Sequence, residues 1–317
     1  MAKRNANSRR RGLPAAAIAV LGIASLATGT AQDKTQIAVR EGVARNVYIT
    51  ATDSDGARAK GLTPQDVSIR EDGETREVLS VAPATETMQI AMLVDDSGPG
   101  IQHIRVGVGE FIQVLRNDAE IAIVSTAGQN VVVVDFTRDY GALINGVRGL
   151  VTRTTSGGYL LDGMHEAART LQRRAAARPV IVVLAIEGTE FSNITANRVL
   201  EGIRLSGAVV HVLNVGKPAL KTMSPLAQRP SQSLHDSLDE TITRGTVMVE
   251  APRRSGGRFE QLVEFSGVPL RLSEIARDLR DQLVVTYARP RSAKGARKID
   301  VSIKRGGIKL RAPKHIS

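Results

Sequence analysis

MQIAMLVDDSGPG, residues 88–100, joins an apolar strand to a loop rich in carboxylates, and this stretch decides the fold. Every residue from 90 to 94 is apolar, as in a strand that a parallel sheet buries on both faces. The loop that follows is too rich in Asp, Gly and Pro to extend the strand. Since ligands of open α/β sheets bind beyond the carboxyl ends of the strands, Asp95 and Ser97 are candidate oxygen ligands for a divalent cation.

Apolar strands and amphipathic helices alternate along residues 87–288. Further strands are predicted at residues 121–124, 131–134, 180–186 and 209–215, and helices at 103–115, 140–150, 160–174, 194–205 and 270–283. The alternation predicts an α/β fold of βαβ units, with a mostly parallel sheet and helices on both faces. Residues 217–254 are polar and predict an irregular insertion with one helix near residues 233–242.

The residues before this region predict a small β-sandwich-like domain, residues 32–86. Apolar and polar residues alternate there, and Asp-Gly turns at 55–56 and 72–73 are typical of hairpins. Turn chemistry accounts for the acids of this region (Asp53, Asp55, Glu71 and Asp72), whose spacing is not that of an EF-hand calcium loop. The chain ends in a predicted basic β hairpin, residues 289–317, which we expect to pack on this domain because four strands alone would have little core.

The formal net charge of +11 is concentrated at the two ends of the chain. Residues 1–31 carry basic residues, then an acid-free apolar run at 13–27, then small residues ending at Ala31. That order predicts a secretory signal cleaved after Ala31, and hence export to the periplasm or outside the cell. Two alternatives are an uncleaved membrane anchor and, from Ser8-Arg9-Arg10, a twin-arginine route. The absence of cysteine excludes disulfides and thiol chemistry and does not contradict export.

Four stretches, in this order, carry a recognisable pattern. They are TDSDG, GLTPQDV and EDG within residues 52–73, LVDDSG at 93–98, VVLAIEG at 182–188, and LRDQL, Tyr287 and RKI within 279–299. The pattern resembles the von Willebrand factor A-related domain family of exported bacterial proteins, first catalogued in acidobacteria. The resemblance implies a Rossmann-like A domain with a metal-ion-dependent adhesion site, where Mg²⁺ at the carboxyl edge of the sheet binds a carboxylate of a protein partner.

Carried over residue by residue, the resemblance implies a degenerate metal site. Asp95 and Ser97 match the start of the D-x-S-x-S pattern, and Glu187 stands where the family has an Asp. The pattern's second hydroxyl is lost at Pro99, and its threonine falls at Gly158 when Asp162 is aligned. We therefore expect at most weak Mg²⁺ binding, the alternative being that Asp95 and Ser97 hydrogen-bond the loop backbone. The residues expected in the partner-binding loops are Asp96, Pro99, Thr154, Thr155, Gly158 and Thr189.

The sequence offers little for catalysis. It holds no G-x-S-x-G elbow and no pair of histidines with metal-ligand spacing, and His211, inside an apolar strand, is predicted to be a core residue. We expect an exported, non-enzymatic protein-binding module of the adhesion type. One alternative is a metal-free envelope scaffold that binds through surface contacts or the basic tail. The other is a nucleic-acid-binding protein that uses the tail, with strongly salt-dependent affinity.

Overall fold

Six strands form the central sheet of the α/β part. They are β5 Met88–Val94, β6 Ala119–Ser125, β7 Val131–Thr137, β8 Arg178–Ile186, β9 Val209–Val215 and β10 Phe259–Leu262. Their order is β10-β9-β8-β5-β6-β7, and all neighbours are parallel except β7, which runs antiparallel to β6. The apolar strands β5 and β8 lie in the middle of the sheet, where helices cover both faces. The predicted mostly parallel sheet is confirmed.

Helices cover this sheet on both sides. The described ones are α1 Ile101–Leu115, α2 Tyr140–Gly149, α3 Leu160–Arg173, α4 Ala196–Ser206, α5 Gln232–Ser255 and α6 Val268–Arg280. One apolar cluster joins a sheet face to α1, α2 and α6, and a second joins the opposite face to α3, α4 and α5. On α1, apolar residues at helical spacing (Ile104, Val108, Phe111, Ile112 and Leu115) are fully buried in the first cluster. The α/β fold class is therefore confirmed, with Rossmann-like layers.

Two antiparallel sheets form the β part. The strands are β1 Gly42–Thr52, β2 Val67–Glu71, β3 Glu74–Arg76, β4 Val78–Pro83, β11 Leu283–Pro290, β12 Arg297–Ile303, β13 Lys309–Arg311 and β14 His315–Ile316. The sheet orders are β13-β1-β11-β4 and β14-β12-β2-β3. Side chains from both sheets, among them Ile49, Ile69, Val285 and Ile299, share one apolar cluster. This is a sandwich built jointly by the two ends of the described chain.

β12 and β13 do not pair as the predicted hairpin requires, and β12 pairs with β14 instead. β12 pairs with β2 in one sheet, whereas β13 pairs with β1 in the other. The turn at 305–307 therefore crosses between the sheets, because β1 and β2 each have an edge that a further strand can cover. β11 also belongs to the sandwich, since it lies between β1 and β4.

The helix predicted near residues 233–242 is present but extends further, so residues 243–254 are helical and not irregular. α5 occupies Gln232–Ser255, and its residues Val247, Met248 and Ala251 are buried against the sheet. The polar and charged residues between the apolar positions of residues 243–254 hid this extension in the sequence. The short strand β10, parallel to β9 at the sheet edge, was not predicted either.

The computed structural model describes residues 42–153, 157–216, 232–291, 295 and 297–316, all within one compact unit. The signal segment predicted at residues 1–31 lies outside them, and the domain boundaries at residues 86 and 288 stay predictions. Among the described helices, none is both long and apolar enough to cross a bilayer.

Candidate partner-binding site at the carboxyl edge of the sheet

Asp95, the first residue after β5, is a buried carboxylate whose two oxygens both accept hydrogen bonds. Oδ1 accepts from the Ser97 N–H at 3.1 Å and from the Ser97 hydroxyl at 2.6 Å. Oδ2 accepts from the Ile186 N–H, at the end of β8, at 3.3 Å. The structure thus brings Asp95 and Ser97 together. It does so through hydrogen bonds within the loop and to β8.

Asp96 points into the protein and has no exposed surface. Its Oδ1 accepts a hydrogen bond of 2.6 Å from the hydroxyl of Ser125, the last residue of β6. Its Oδ2 faces the Nε of Arg153 at 3.4 Å. Burial raises the pKa of Asp96, and the Ser125 hydroxyl and the Arg153 charge offset part of that rise. Asp96 therefore ties β5, β6 and the loop after α2 together.

Glu187, the third expected metal ligand, follows β8 and is exposed. Its N–H donates to the Val215 carbonyl at 2.9 Å. Its side chain lies against Gly216, where a Cβ would be 2.5 Å from the Glu187 Cβ and 2.7 Å from its Oε2. The carboxylate thus lies on the β9 side of β8, whereas Asp95 hydrogen-bonds β8 from the β5 side.

Gly158 and Thr189 lie next to each other. The Gly158 N–H donates to the Thr189 carbonyl at 3.0 Å, and the Gly158 carbonyl accepts from the Phe191 N–H at 2.8 Å. A Cβ on Gly158 would lie 3.0 Å from the Thr126 carbonyl oxygen, so this close backbone approach favours glycine. Pro99 is exposed on the neighbouring loop, and Thr154 and Thr155 lie outside the described residues.

A second ion pair, which the sequence did not predict, fixes the loop after β8. Arg244 of α5 donates to the Ile186 carbonyl at 2.6 Å and to the Gly188 carbonyl at 2.9 Å. Its Nε lies 3.6 Å from Oε2 of Glu190, which is buried. The other Glu190 oxygen accepts from the Leu161 and Ser192 N–H groups, each at 3.3 Å. Burial raises the pKa of Glu190, and these donors and Arg244 oppose the rise.

These residues do not fit a Mg²⁺ ion coordinated by side chains. Both Asp95 oxygens already accept hydrogen bonds, and the Ser97 hydroxyl donates its proton to Asp95. Pro99 and Gly158 supply no side-chain oxygen, whereas Mg²⁺ requires six oxygens in near-octahedral geometry. Within the described part of the chain, no three His, Cys, Asp or Glu side chains form a group that could hold a metal.

Apolar side chains are exposed on the same loops. Val151 is 50 % exposed beside the Asp96 loop, Phe191 is 39 % exposed, and Val263 after β10 is 67 % exposed. The ring of Phe191 packs at 6.1 Å from that of Tyr159, which fixes its direction. Exposed aromatic and apolar groups held on rigid loops are typical anchors of protein–protein interfaces.

Sequence reasoning missed Ser125 and Arg244 as site residues, and it missed the ion pairs that Arg153 and Glu190 form. Ser125 could have been found, because it directly follows the strand predicted at residues 121–124. No sequence signal indicated the two ion pairs, because their partners are distant along the chain and Arg244 lies on an unpredicted part of α5.

Three of the ten basic residues of the C-terminal tail form ion pairs with other parts of the fold. Arg289 is almost fully buried and lies 2.9 Å from Glu71, Arg297 lies 2.7 Å from Asp72, and Arg311 lies 2.5 Å from Asp278. The tail is therefore a set of strands with internal ion pairs, and these arginines are not offered to an external polyanion.

Residues 91–187 match the family model of the von Willebrand factor type A domain.

Among solved structures, a von Willebrand factor type A protein from Catenulispora acidiphila is similar, with 12% identity over 80% of this chain and 73% of that one and a TM-score of 0.47. Proximal thread matrix protein 1 from the mussel byssus, with a zinc-occupied MIDAS motif, has 12% identity over 68% of this chain and a TM-score of 0.48. This chain spans 50% of the mussel protein's length. BatB from Bacteroides thetaiotaomicron has 15% identity over 61% of this chain and 98% of that one, with a TM-score of 0.37. A search among curated protein sequences finds no match.

Proposed function

We propose that this protein is an exported, non-enzymatic module that binds a protein partner without a metal ion. The proposal rests on the match of residues 91–187 to the von Willebrand factor type A domain. The partner binds at the carboxyl edge of the six-stranded sheet, on the loops at residues 95–100, 150–153 and 187–191. A-type domains generally act as interaction modules, which supports the general class of function. The export rests on the sequence pattern of residues 1–31.

The observation that carries the metal-free reading is the hydrogen bonding of Asp95. Its carboxylate accepts from the Ser97 N–H, the Ser97 hydroxyl and the Ile186 N–H, so a cation would have to displace donors that now hold the loop. The Asp96–Arg153 and Glu190–Arg244 pairs link the loops to one another, and a bound metal is not needed for that cross-linking.

The nucleic-acid alternative has weaker support. The charges of the tail arginines that pair with Glu71, Asp72 and Asp278 are already balanced by those carboxylates. Exposed lysines remain on the tail, but the exposed apolar groups of the carboxyl-edge loops are better suited to a protein surface.

The test combines a partner measurement with a metal measurement. A photo-crosslinking phenylalanine analogue replaces Phe191 at the edge or, as the matched control, Val106, which is 53 % exposed on α1. Extract of the source organism is irradiated in EDTA and in millimolar Mg²⁺ or Mn²⁺. We expect a discrete cross-linked partner from position 191 and none from 106, with equal yields in all buffers.

Thermal unfolding in the same buffers gives the second readout. A ligand that binds the native state must raise its stability by mass action, by about 2.7 kcal/mol at a hundred times its Kd. We expect the same Tm with EDTA and with metal, in the wild type and in Asp95→Asn. A metal-dependent rise in Tm that Asp95→Asn abolishes, or cross-linking that requires Mg²⁺, would overturn the metal-free proposal. No position-specific cross-link in any buffer would overturn partner binding at this edge.

A further inference from the structure

We propose that Arg153 is a fixed guanidinium that recognises a carboxylate, the side chain of an Asp or Glu on the partner. The inference rests on the proposed function, because it names the chemistry of the partner group that meets the carboxyl edge.

The backbone of Arg153 is held in place from two sides. Its N–H donates to the Asp96 carbonyl at 3.0 Å, and the neighbouring Thr152 hydroxyl donates to the Gly98 carbonyl at 3.4 Å. On the other side, the Arg105 Nε donates to the Leu150 carbonyl at 2.8 Å, which anchors the start of the same loop to α1. The backbone that carries Arg153 is therefore fixed before any partner arrives, which lowers the entropy cost of binding.

Asp96 fixes the guanidinium itself. Asp96 is completely buried, so its charge lies beneath Arg153. Its Oδ2 lies 3.4 Å from the Arg153 Nε and attracts that edge of the guanidinium. The Arg153 side chain is 35% exposed, and its contact with Asp96 is made through Nε. The guanidinium is thus held by one edge, while the donors of the other edge remain for a ligand.

The neighbouring charges do not compete for those donors. The Asp95 carboxylate is bound to Ser97 and Ile186, and the Glu187 carboxylate lies against Gly216 on the other side of β8. The second arginine of the edge, Arg244, donates to the Ile186 and Gly188 carbonyls and lies beside Glu190. Arg153 is therefore the exposed cation that an approaching group meets beside Pro99.

The shape of the free donors selects the ligand. Two parallel N–H groups on a rigid plane match the two oxygens of a carboxylate, in a charge-assisted, bidentate pair. The exposed Val151 lies two residues away on the same loop, so an acidic side chain carried on a protein surface would gain apolar contact as well. A free phosphate would have the charge without that contact.

The test observes the arginine side chains of the wild-type protein by ¹⁵N NMR, in EDTA. The probe is N-acetyl-glutamate N-methylamide, and the matched uncharged control is the glutamine analogue, with sodium chloride to equalise ionic strength. We expect a saturable shift of the Arg153 side-chain signals with the glutamate probe only. The signals of Arg105 and Arg244, whose donors are already bound, serve as internal controls and should not move.

Variants then test the fork geometry. Arg153→Gln should abolish the response, and Arg153→Lys should weaken it several-fold, because a single ammonium cannot form the bidentate pair. Equal shifts with the glutamine analogue or chloride, or tighter saturation by inorganic phosphate, would overturn the inference. If the Tm is unchanged by metal but the Arg153 signals do not shift with the glutamate probe, this inference fails and the metal-free proposal stands. A metal-dependent Tm overturns the metal-free proposal instead.

Discussion

His211 shows how a single residue can couple this fold to pH. It lies in β9, is fully buried as predicted for a core residue, and neither ring nitrogen has a hydrogen-bond partner among the described residues. Burial, with the nearby charges of Arg311 and Arg258, lowers its pKa to about 3. In the unfolded chain the same group titrates near its ordinary value of 6.5, so the unfolded state binds the proton more readily.

Stability should therefore fall as the pH decreases below about 6.5, by up to roughly 1.4 kcal/mol per pH unit from this group. The loss continues until the pH reaches the folded pKa of about 3. Urea unfolding between pH 7.5 and 4.5 measures this loss. The quantity compared is the slope of the unfolding free energy against pH, in the wild type and in His211→Leu. Asp96 and Glu190, whose pKa values are raised, change stability in the opposite direction but equally in both proteins.

His103→Gln, which removes an exposed histidine, is the matched control and should keep the wild-type slope. Identical pH slopes for the wild type and His211→Leu would contradict the prediction.

At the scale of elements, the contact between α1 and α6 depends on a glycine. Gly107 faces α6, and a Cβ there would lie 3.1 Å from the side chains of Leu272 and Val268 and 3.2 Å from the Pro269 Cα. Gly109, half a turn further along the same helix, would place its Cβ in open space. The two positions share helix and backbone, so they separate helix propensity from packing.

Gly109→Ala should stabilise the protein by about 0.5–1 kcal/mol, because alanine loses less backbone entropy than glycine in a helix. Gly107→Ala should lose that gain and cost stability, since its methyl group pushes α6 away from α1. We expect a difference of about 1 kcal/mol or more between the two variants in urea unfolding. Equal stabilisation by both substitutions would mean that α6 can move without cost.

At the scale of the whole molecule, the last strands complete a sandwich that begins near the other end of the described chain. β12 covers β2, β13 covers β1, and Ile299 and Val301 enter the shared core. The Glu71 carboxylate, fully buried, lies between Arg289 of β11 and Arg76 of β3. Breaking such a buried pair typically costs about 3–5 kcal/mol, so the sandwich depends on both ends being present.

Removal of residues 297–317 should therefore open the sandwich and spare the α/β sheet. In hydrogen exchange we expect the amides of β1 and β2 to lose protection, while those of β5 and β8, buried between helices, stay protected. Removal of residues 315–317 takes away only the described strand β14 and serves as the control, with little change expected. Unchanged protection of β2 in the longer deletion would show that the N-terminal strands fold without their C-terminal partners.

The sequence by itself determined the layers of the α/β part and the place of its binding edge. Continuous apolar runs and 3.6-residue periodicity are local signals, so β5, β8, β9 and α1 could be predicted within a few residues, together with the loop of Asp95 and Ser97. Only the tertiary structure decided which distant groups meet at that edge. Arg153 reaches Asp96 because the loop after α2 packs on the loop after β5, and Arg244 reaches Glu190 from a helix with little apolar signal. The tertiary structure also decided the places of β12 and β13. The local turn pattern predicts that they form a hairpin, but β12 pairs with the open edge of β2 and β13 with that of β1. Pairing between distant segments depends on charge, burial and free strand edges, and these exist only once the chain has folded.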